Sequence, residues 1–160
     1  ANKQLKQMAH HDYLTGLSNK FSFNNYLSNA VKNGQKGVLF CMDLDKFKKI
    51  NDSAGHAAGD KALTEVAHVL RLCFKKDDMV ARVGGDEFAA FVTNIDMATA
   101  NNIKTGIIRA IEQHLITYEG KSFHISISIG LAPLDNETIS SKQLMLQADA
   151  ASYEAKSKKN

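Results

Sequence analysis

The spacing of apolar and polar residues changes character several times along the chain, and each change predicts an element. Phe23, Tyr26, Leu27 and Ala30 recur at helical spacing and predict a helix over about 20–32, with Ser18 or Asn19 as its cap and Gly34 and Gly37 at its exit. The stretch GVLFCMDLD at 37–45 holds five consecutive apolar residues, which predicts a strand covered on both faces, and it ends in the alternating acids Asp43 and Asp45. KFKKINDSAGHAAGD then reads as a short helix followed by a polar turn, in which Gly55 and Gly59 supply close approach or unusual backbone angles. Asp60 is placed to cap a helix over about 61–74, with Leu63, Val66, Ala67 and Leu70 inward, and KKDD at 75–78 is a charged turn.

Residues 79–92 predict two strands hinged at Gly84–Gly85, with Phe88 to Val92 as the return strand. Ile103, Ile107, Ile111 and Leu115 form the stripe of a helix over about 97–115. In SFHISISIG at 122–130, Phe123, Ile125, Ile127 and Ile129 face one way and His124, Ser126 and Ser128 the other, predicting a strand with one buried side. A loop with Pro133 leads to a last helix over about 141–158. At the start, Leu5 and Met8 within residues 2–10 predict the end of an incoming helix, and 11–19 is a segment with a turn at Gly16.

The order α-α-β-α-α-β-β-α-β-α contains β-α-β-β-α-β, the ferredoxin-like pattern. It predicts an α/β fold of the α+β sandwich kind: a mixed, largely antiparallel central sheet with helices on one face, plus additional helices. A dinucleotide-binding Rossmann arrangement is excluded, because no GxGxxG follows a strand and the glycine pair lies between two strands.

Composition narrows this only a little. A length of 160 residues suits one domain that needs no disulfide or structural metal to hold together. A formal charge of +3 with acids and bases intermixed gives no basic face for nucleic acid. Cys41 and Cys73 sit in apolar contexts as small buried hydrophobes, consistent with a reducing compartment, and no His/Cys cluster has zinc spacing. No apolar run reaches the roughly 18–20 residues of a membrane span, so no direct membrane contact is expected of this segment. The Met-less helical start and the basic helical end suggest a domain cut from a longer chain. Residues 1–11 would be the end of a linker helix, and 12–160 the domain proper.

The chemistry lies in two acid-bearing turns. Asp43 ends the first buried strand, and Gly84-Gly85-Asp86-Glu87 forms the tip of the hairpin. If the hairpin pairs with that strand, Asp43 comes near Asp86 and Glu87, and clustered carboxylates call for a positive charge between them. A hard, oxygen-preferring divalent cation such as Mg²⁺ supplies it and leaves room for substrate phosphates. The plainer alternative is an N-capping Asp and a solvated turn. Lys46, Lys48, Lys49 and Lys156 can neutralise phosphate or simply line charged helix faces. Asn51 and Asp60 can hydrogen-bond a purine edge, where the carboxylate accepts from ring N–H and exocyclic NH₂; Asp60 can equally be a helix cap. The six histidines are not at metal-ligand spacing.

These residues resemble the GGDEF domain family of diguanylate cyclases over nearly the whole chain. RVGGDEF at 82–88 carries the signature, and DYLTGLSNK at 12–20, MDLDKFKKINDSAGHAAGD at 42–60, SISIGLA at 126–132 and ADAASYEAK at 148–156 follow the family order. The resemblance implies a fold like the adenylyl cyclase and polymerase palm. It also implies an enzyme of bacterial second-messenger signalling that joins two GTP into cyclic di-GMP and releases two pyrophosphates. Asp43, Asp86 and the Leu44 carbonyl would bind Mg²⁺ or Mn²⁺, two per site. Asp86, Glu87 and Lys48 would serve catalysis. Asn51 and Asp60 would read guanine, Gly84 and Gly85 would let the nucleotide approach, and Lys156 would join Lys48 on the phosphates. Each monomer would hold one GTP, so catalysis would need a homodimer, transient or stable. An upstream sensor domain would control a cytoplasmic output domain. The alternative is an inactive family member that binds GTP and regulates a partner.

The chain departs from the family pattern in four places. The feedback site, usually Arg-x-x-Asp, here has Lys75 and Asp78, and Lys lacks the planar fork that grips phosphate or guanine with two bonds. Weak or absent product inhibition is expected. Asn160 stands where an Arg is usual after the last motif, Lys20 and Phe21 stand where two Arg are common, and Ser152 replaces a Leu, which is expected to loosen the last helix slightly.

Overall fold

The structure is a computed structural model that describes residues 9–138 and 140–159. Its elements are α1 (Lys20–Lys32), β1 (Gly37–Asp45), α2 (Phe47–Ala54), α3 (His56–Cys73), β2 (Met79–Arg82), β3 (Glu87–Thr93), α4 (Met97–Gln113), β4 (Ile116–Tyr118), β5 (Lys121–Phe123), β6 (Ser126–Leu134) and α5 (Ser141–Ser157). Of the expected incoming helix, only Ala9 and His10, both helical, fall within the described residues; Asn160 lies outside them.

Four strands form a sheet in the order β2-β3-β1-β6, and every ladder is antiparallel. The one parallel pairing among the described residues is an isolated bridge between Ser18 and Ala81. The topology is the ferredoxin-like one expected from the β-α-β-β-α-β pattern. The hairpin does lie beside the first strand, with Asp43 directly opposite Glu87.

The expectation of helices on one face is corrected. Alternate residues of β1 point to opposite sides. Val38, Phe40, Met42 and Leu44 join a core with Leu63, Val66 and Leu70 of α3 and Ile107 and Ile111 of α4. Leu39 and Cys41 join a second core with Phe23 and Leu27 of α1 and Leu144 and Ala148 of α5. The unbroken apolar run of β1 therefore reflects cover on both faces. Each fully buried Leu or Phe contributes roughly 1.5–3 kcal/mol relative to exposure. The last strand is corrected in the same way: Ser128 and Gly130, on the side read as open, are buried under α5. At Gly130 a Cβ would run into the Ala148 carbonyl and the Ser152 amide, so glycine sets how closely α5 seats. Ser152 is buried there, its hydroxyl 3.5 Å from the Ser128 carbonyl.

Asn19 caps α1, its side chain accepting from the Ser22 amide. Asp60 caps nothing. The supposed polar turn is largely helical, and α3 begins at His56, preceded by Gly55 at φ 90°. That left-handed angle, easy for glycine, breaks α2 from α3 without a loop. The helix thus starts a turn early and leaves Asp60 exposed on its side. The strand expected over 122–130 is split. Lys121–Phe123 pairs with Ile116–Tyr118 as the β4–β5 hairpin, and β6 begins at Ser126 and runs through Pro133, a residue expected in a loop. The alternation of Phe123 with Ile125 and Ile127 carries across the break and hides it. Leu115, expected inward, lies just past α4 and is exposed.

Candidate functional site

The strand period determines which way each acid faces. Asp43 and Asp45 share the face of β1 covered by α5, and Glu87, opposite Asp43, shares that side on β3. Asp86 sits one residue earlier, at the tip, and its backbone carbonyl accepts from the Leu44 amide at 3.1 Å. The two consecutive acids therefore line different pockets at the same end of the sheet.

The pocket on the α2–α3 side, about 360 Å³, is lined by Lys48 and Asn51 of α2, Asp60 and Leu63 of α3, and Arg82, Gly85 and Asp86 of the hairpin, with Phe47 and His56. Asn51 and Asp60 come from different helices, and Gly59 lets the Asn51 side chain lie close against α3: a Cβ there would collide with its carboxamide. At Gly85 a Cβ would meet nothing within 4 Å, whereas at Gly84 it would press on the Glu87 carboxylate at 2.8 Å.

The pocket on the α1–α5 side, about 280 Å³, is lined by Asp43 and Cys41 of β1, Glu87 of β3, Lys20 and Asn24 of α1, and Asp149, Tyr153 and Lys156 of α5, among others. Here the Lys156 ammonium donates to the Asp43 carboxylate at 2.9 Å and to the Leu44 carbonyl at 3.1 Å. Burial works against its charge, but bonding to Asp43 outweighs this and raises its pKa.

The carboxylates are poorly compensated. Burial, then the negative charge of Asp43, raises the pKa of Asp86. Burial, then Asp43, Asp86 and Asp149, raises that of Glu87 against the pull of Lys20. Burial and the neighbouring Asp149 push the Cys41 thiol far upward, which leaves it a protonated core residue.

Among the described residues no three His, Cys, Asp or Glu side chains form a metal cluster. The donors expected from the sequence are two carboxylates and a carbonyl: Asp43, Asp86 and Leu44. This set fits a hard divalent cation that takes its remaining ligands from water and phosphate. The fit rests on Lys156, whose ammonium shows that Asp43 and the Leu44 carbonyl converge on a point favouring positive charge.

Two braces were not foreseen. Arg82 donates from Nε to the Gly84 and Gly85 carbonyls, both at 3.1 Å, and from a terminal nitrogen to Asp12 at 3.2 Å. Burial raises the Asp12 pKa, yet hydrogen bonds from Thr15 and the Arg82 charge hold it below the usual carboxylate value. An Arg ending a strand just before a Gly-Gly turn is the sequence signal for this brace. The second brace joins Asp45 to Lys159 at 2.8 Å, across the sheet end; a separation of 114 positions hides it from any local pattern. Lys75 and Asp78 lie at the other end of β2 from the hairpin. The Asp78 carboxylate accepts from the Lys75 amide at 2.8 Å, and Arg71 donates to the backbone carbonyls of both. Among the described residues no helix is long and apolar enough to cross a membrane.

The chain is 37% identical over 158 residues to the probable diguanylate cyclase DgcE of Escherichia coli (strain K12), covering 96% of this chain and 14% of that protein. It is 35% identical over 162 residues to diguanylate cyclase A of Treponema denticola, covering 97% and 44%. It thus spans less than half the length of either curated relative. The isolated GGDEF domain of TpbB from Pseudomonas aeruginosa matches it with a TM-score of 0.86 at 36% identity, covering 93% of this chain and 90% of that one. The family profile described as "Diguanylate cyclase, GGDEF domain" matches residues 9–160, and with the antiparallel palm-like sheet and the RVGGDEF hairpin in place, the chain belongs to the GGDEF domain family.

Proposed function

We propose that this domain is a diguanylate cyclase, condensing two GTP into cyclic di-GMP with release of two pyrophosphates. One observation carries the proposal: a polar pocket with Asn51 and Asp60 and a cation-favouring point at Asp43 and Leu44 share one end of the sheet, with Asp86 between them.

In this mechanism Asp60 accepts from the guanine ring N–H and exocyclic NH₂, and Asn51 supplies a second hydrogen bond. Lys48 and Lys156 neutralise phosphate charge, and the hairpin backbone at Gly84 and Gly85 leaves room for the nucleotide. Mg²⁺ or Mn²⁺, two per site and held by Asp43, Asp86 and the Leu44 carbonyl, would lower the hydroxyl pKa and offset charge on the leaving pyrophosphate. The 3′-oxygen of one GTP bonds to the α-phosphorus of the other, the bond to pyrophosphate breaks, and Glu87, whose proton affinity is raised, takes the hydroxyl proton. A second, symmetric step closes the ring. Each protomer holds one GTP, so two copies must face each other, and positioning with electrostatics supplies most of the acceleration. In a longer parent chain, an upstream sensor domain would control that encounter.

Incubation with GTP and Mg²⁺ or Mn²⁺, followed by chromatography of the nucleotides, tests the proposal. Cyclic di-GMP and pyrophosphate are expected. Bound GTP with no product at high protein concentration would favour a regulatory GTP-binding module instead.

A further inference from the structure

We propose that Asp45 and Lys159 form a latch that positions Lys156. The consequence for GTP rests on the function proposed above; the latch itself does not.

Two matched pairs hold the end of α5 to the end of β1. Asp43 and Asp45, two apart on a strand, share a face. Lys156 and Lys159, three apart at a helix end, share a side. Lys156 meets Asp43 at 2.9 Å and Lys159 meets Asp45 at 2.8 Å. The pairs differ in environment. The Asp43 side chain keeps 30% of its exposure and lines a pocket, whereas that of Asp45 keeps 8%. Asp45 also accepts three hydrogen bonds, from the Ser126 and Ser128 hydroxyls at 2.7 Å each and from Lys159. Lys159 donates in addition to the Ile127 carbonyl at 2.6 Å, and its amide bonds back to the Lys156 carbonyl at 3.2 Å.

So buried a carboxylate, already holding three partners, is not available to substrate. Its bonds instead close the turn that begins at Lys156. A long lysine side chain loses substantial entropy when fixed, and a helix end with no tether frays. The latch fixes the backbone of that turn in advance, so Lys156 reaches the acids and the incoming phosphates from one position. Asp45 and Lys159 are positioning residues that act through Lys156.

The test measures binding of 3′-deoxy-GTP, which lacks the attacking hydroxyl and cannot turn over. Asp45→Asn/Lys159→Met removes the latch without leaving a lone buried charge, and Lys159→Arg retains a donor. The double variant is expected to weaken binding on the order of fivefold, and Lys159→Arg to keep most of the affinity. In a Lys156→Met background the double variant should cost nothing further. Full additivity with Lys156→Met, or unchanged binding in the double variant, overturns the proposal. If the unmodified protein binds no 3′-deoxy-GTP, the functional proposal fails, and amide exchange decides the latch alone. Asp45→Asn must speed exchange at Lys158 and Lys159, and unchanged exchange there overturns it.

Discussion

The two sides of the sheet are built differently. Under α3 and α4, β1 contributes Val38, Phe40, Met42 and Leu44 to a large aliphatic and aromatic core. Under α1 and α5 the core is smaller and mixes large residues such as Phe23, Leu27 and Phe91 with Ala30, Ala81, Ala89, Ala132 and Ala148, and Gly130 lies beneath the helix. The first side carries the pocket with Asn51 and Asp60, held by two helices in close contact through Gly59. The second carries Asp43 and Asp45, each ion-paired to a lysine at the end of α5. Under the proposed function, base recognition falls on the side with the larger apolar core, and metal and phosphate handling on the side where α5 is tied to β1 by ion pairs. The hairpin joins them, because Asp86 and Glu87 fall on opposite sides.

Changes to the charges should separate activity from stability most widely. Asp43→Asn is expected to lower cyclic di-GMP formation by at least about a hundredfold, in the range seen when a key electrostatic group is removed, while urea unfolding shows little loss of stability. A variant that loses both together would mean the acid is structural.

On the other side, Asp60→Ala should weaken GTP binding by roughly 10- to 30-fold through loss of a charge-assisted hydrogen bond. Asp60 is exposed and caps no helix, so thermal stability should barely move. Unchanged GTP affinity would remove it from base recognition.

Gly130→Ala tests the close approach of α5. A Cβ clash against two backbone atoms should cost about 1–3 kcal/mol in urea unfolding. Stability equal to wild type would show that α5 yields easily.

The pH dependence of metal-free stability should divide along chemical lines. Burial raises the Asp45 pKa, but bonds from Lys159, Ser126 and Ser128 prevail and lower it. Its contribution is therefore present above the unfolded carboxylate value near 4 and lost as pH falls through the lower folded value. Glu87 has the opposite sign: its raised folded pKa favours the protonated form, and that contribution is lost as pH rises through it. Urea unfolding over about pH 3–7 should show Asp45→Asn flattening the acid-side loss and Glu87→Gln gaining stability toward neutrality.

The smallest effect lies away from both pockets. Titration with cyclic di-GMP should give no micromolar binding at Lys75 and Asp78, since Lys75 offers no guanidinium fork and the Asp78 carboxylate is engaged by the turn. Tight binding of product there would contradict this.

Much of this was legible in the chain. The strand of β1 and the hairpin at Gly84–Gly85 follow from periodicity and glycine placement, which are local signals, whereas the pairing that sets Asp43 opposite Glu87 follows only once the ferredoxin-like order is assumed. Asp60 misled because Asp after Gly looks like a cap, and only the left-handed angle at Gly55 shows that the helix has already begun. The five apolar residues of β1 announced cover on both of its faces, but the Ser126, Ser128 and Gly130 side of β6 reads as open because small and polar residues under a helix do not stand out as core. Arg82 with Asp12 and Lys159 with Asp45 are long-range ion pairs, and no local spacing announces them.

The distribution of those contacts has a consequence for a chain still being made. Asp43, Asp86 and Glu87 all emerge before residue 90, while the ammonium groups that meet Asp43 and Asp45 lie 113 and 114 positions further on. Contacts spanning such distances form only after most of the chain is available. A nascent chain that stops short of α5 therefore presents Asp43 and Asp45 without the lysines that pair with them, and the centre acquires its full electrostatic form only once α5 has been made.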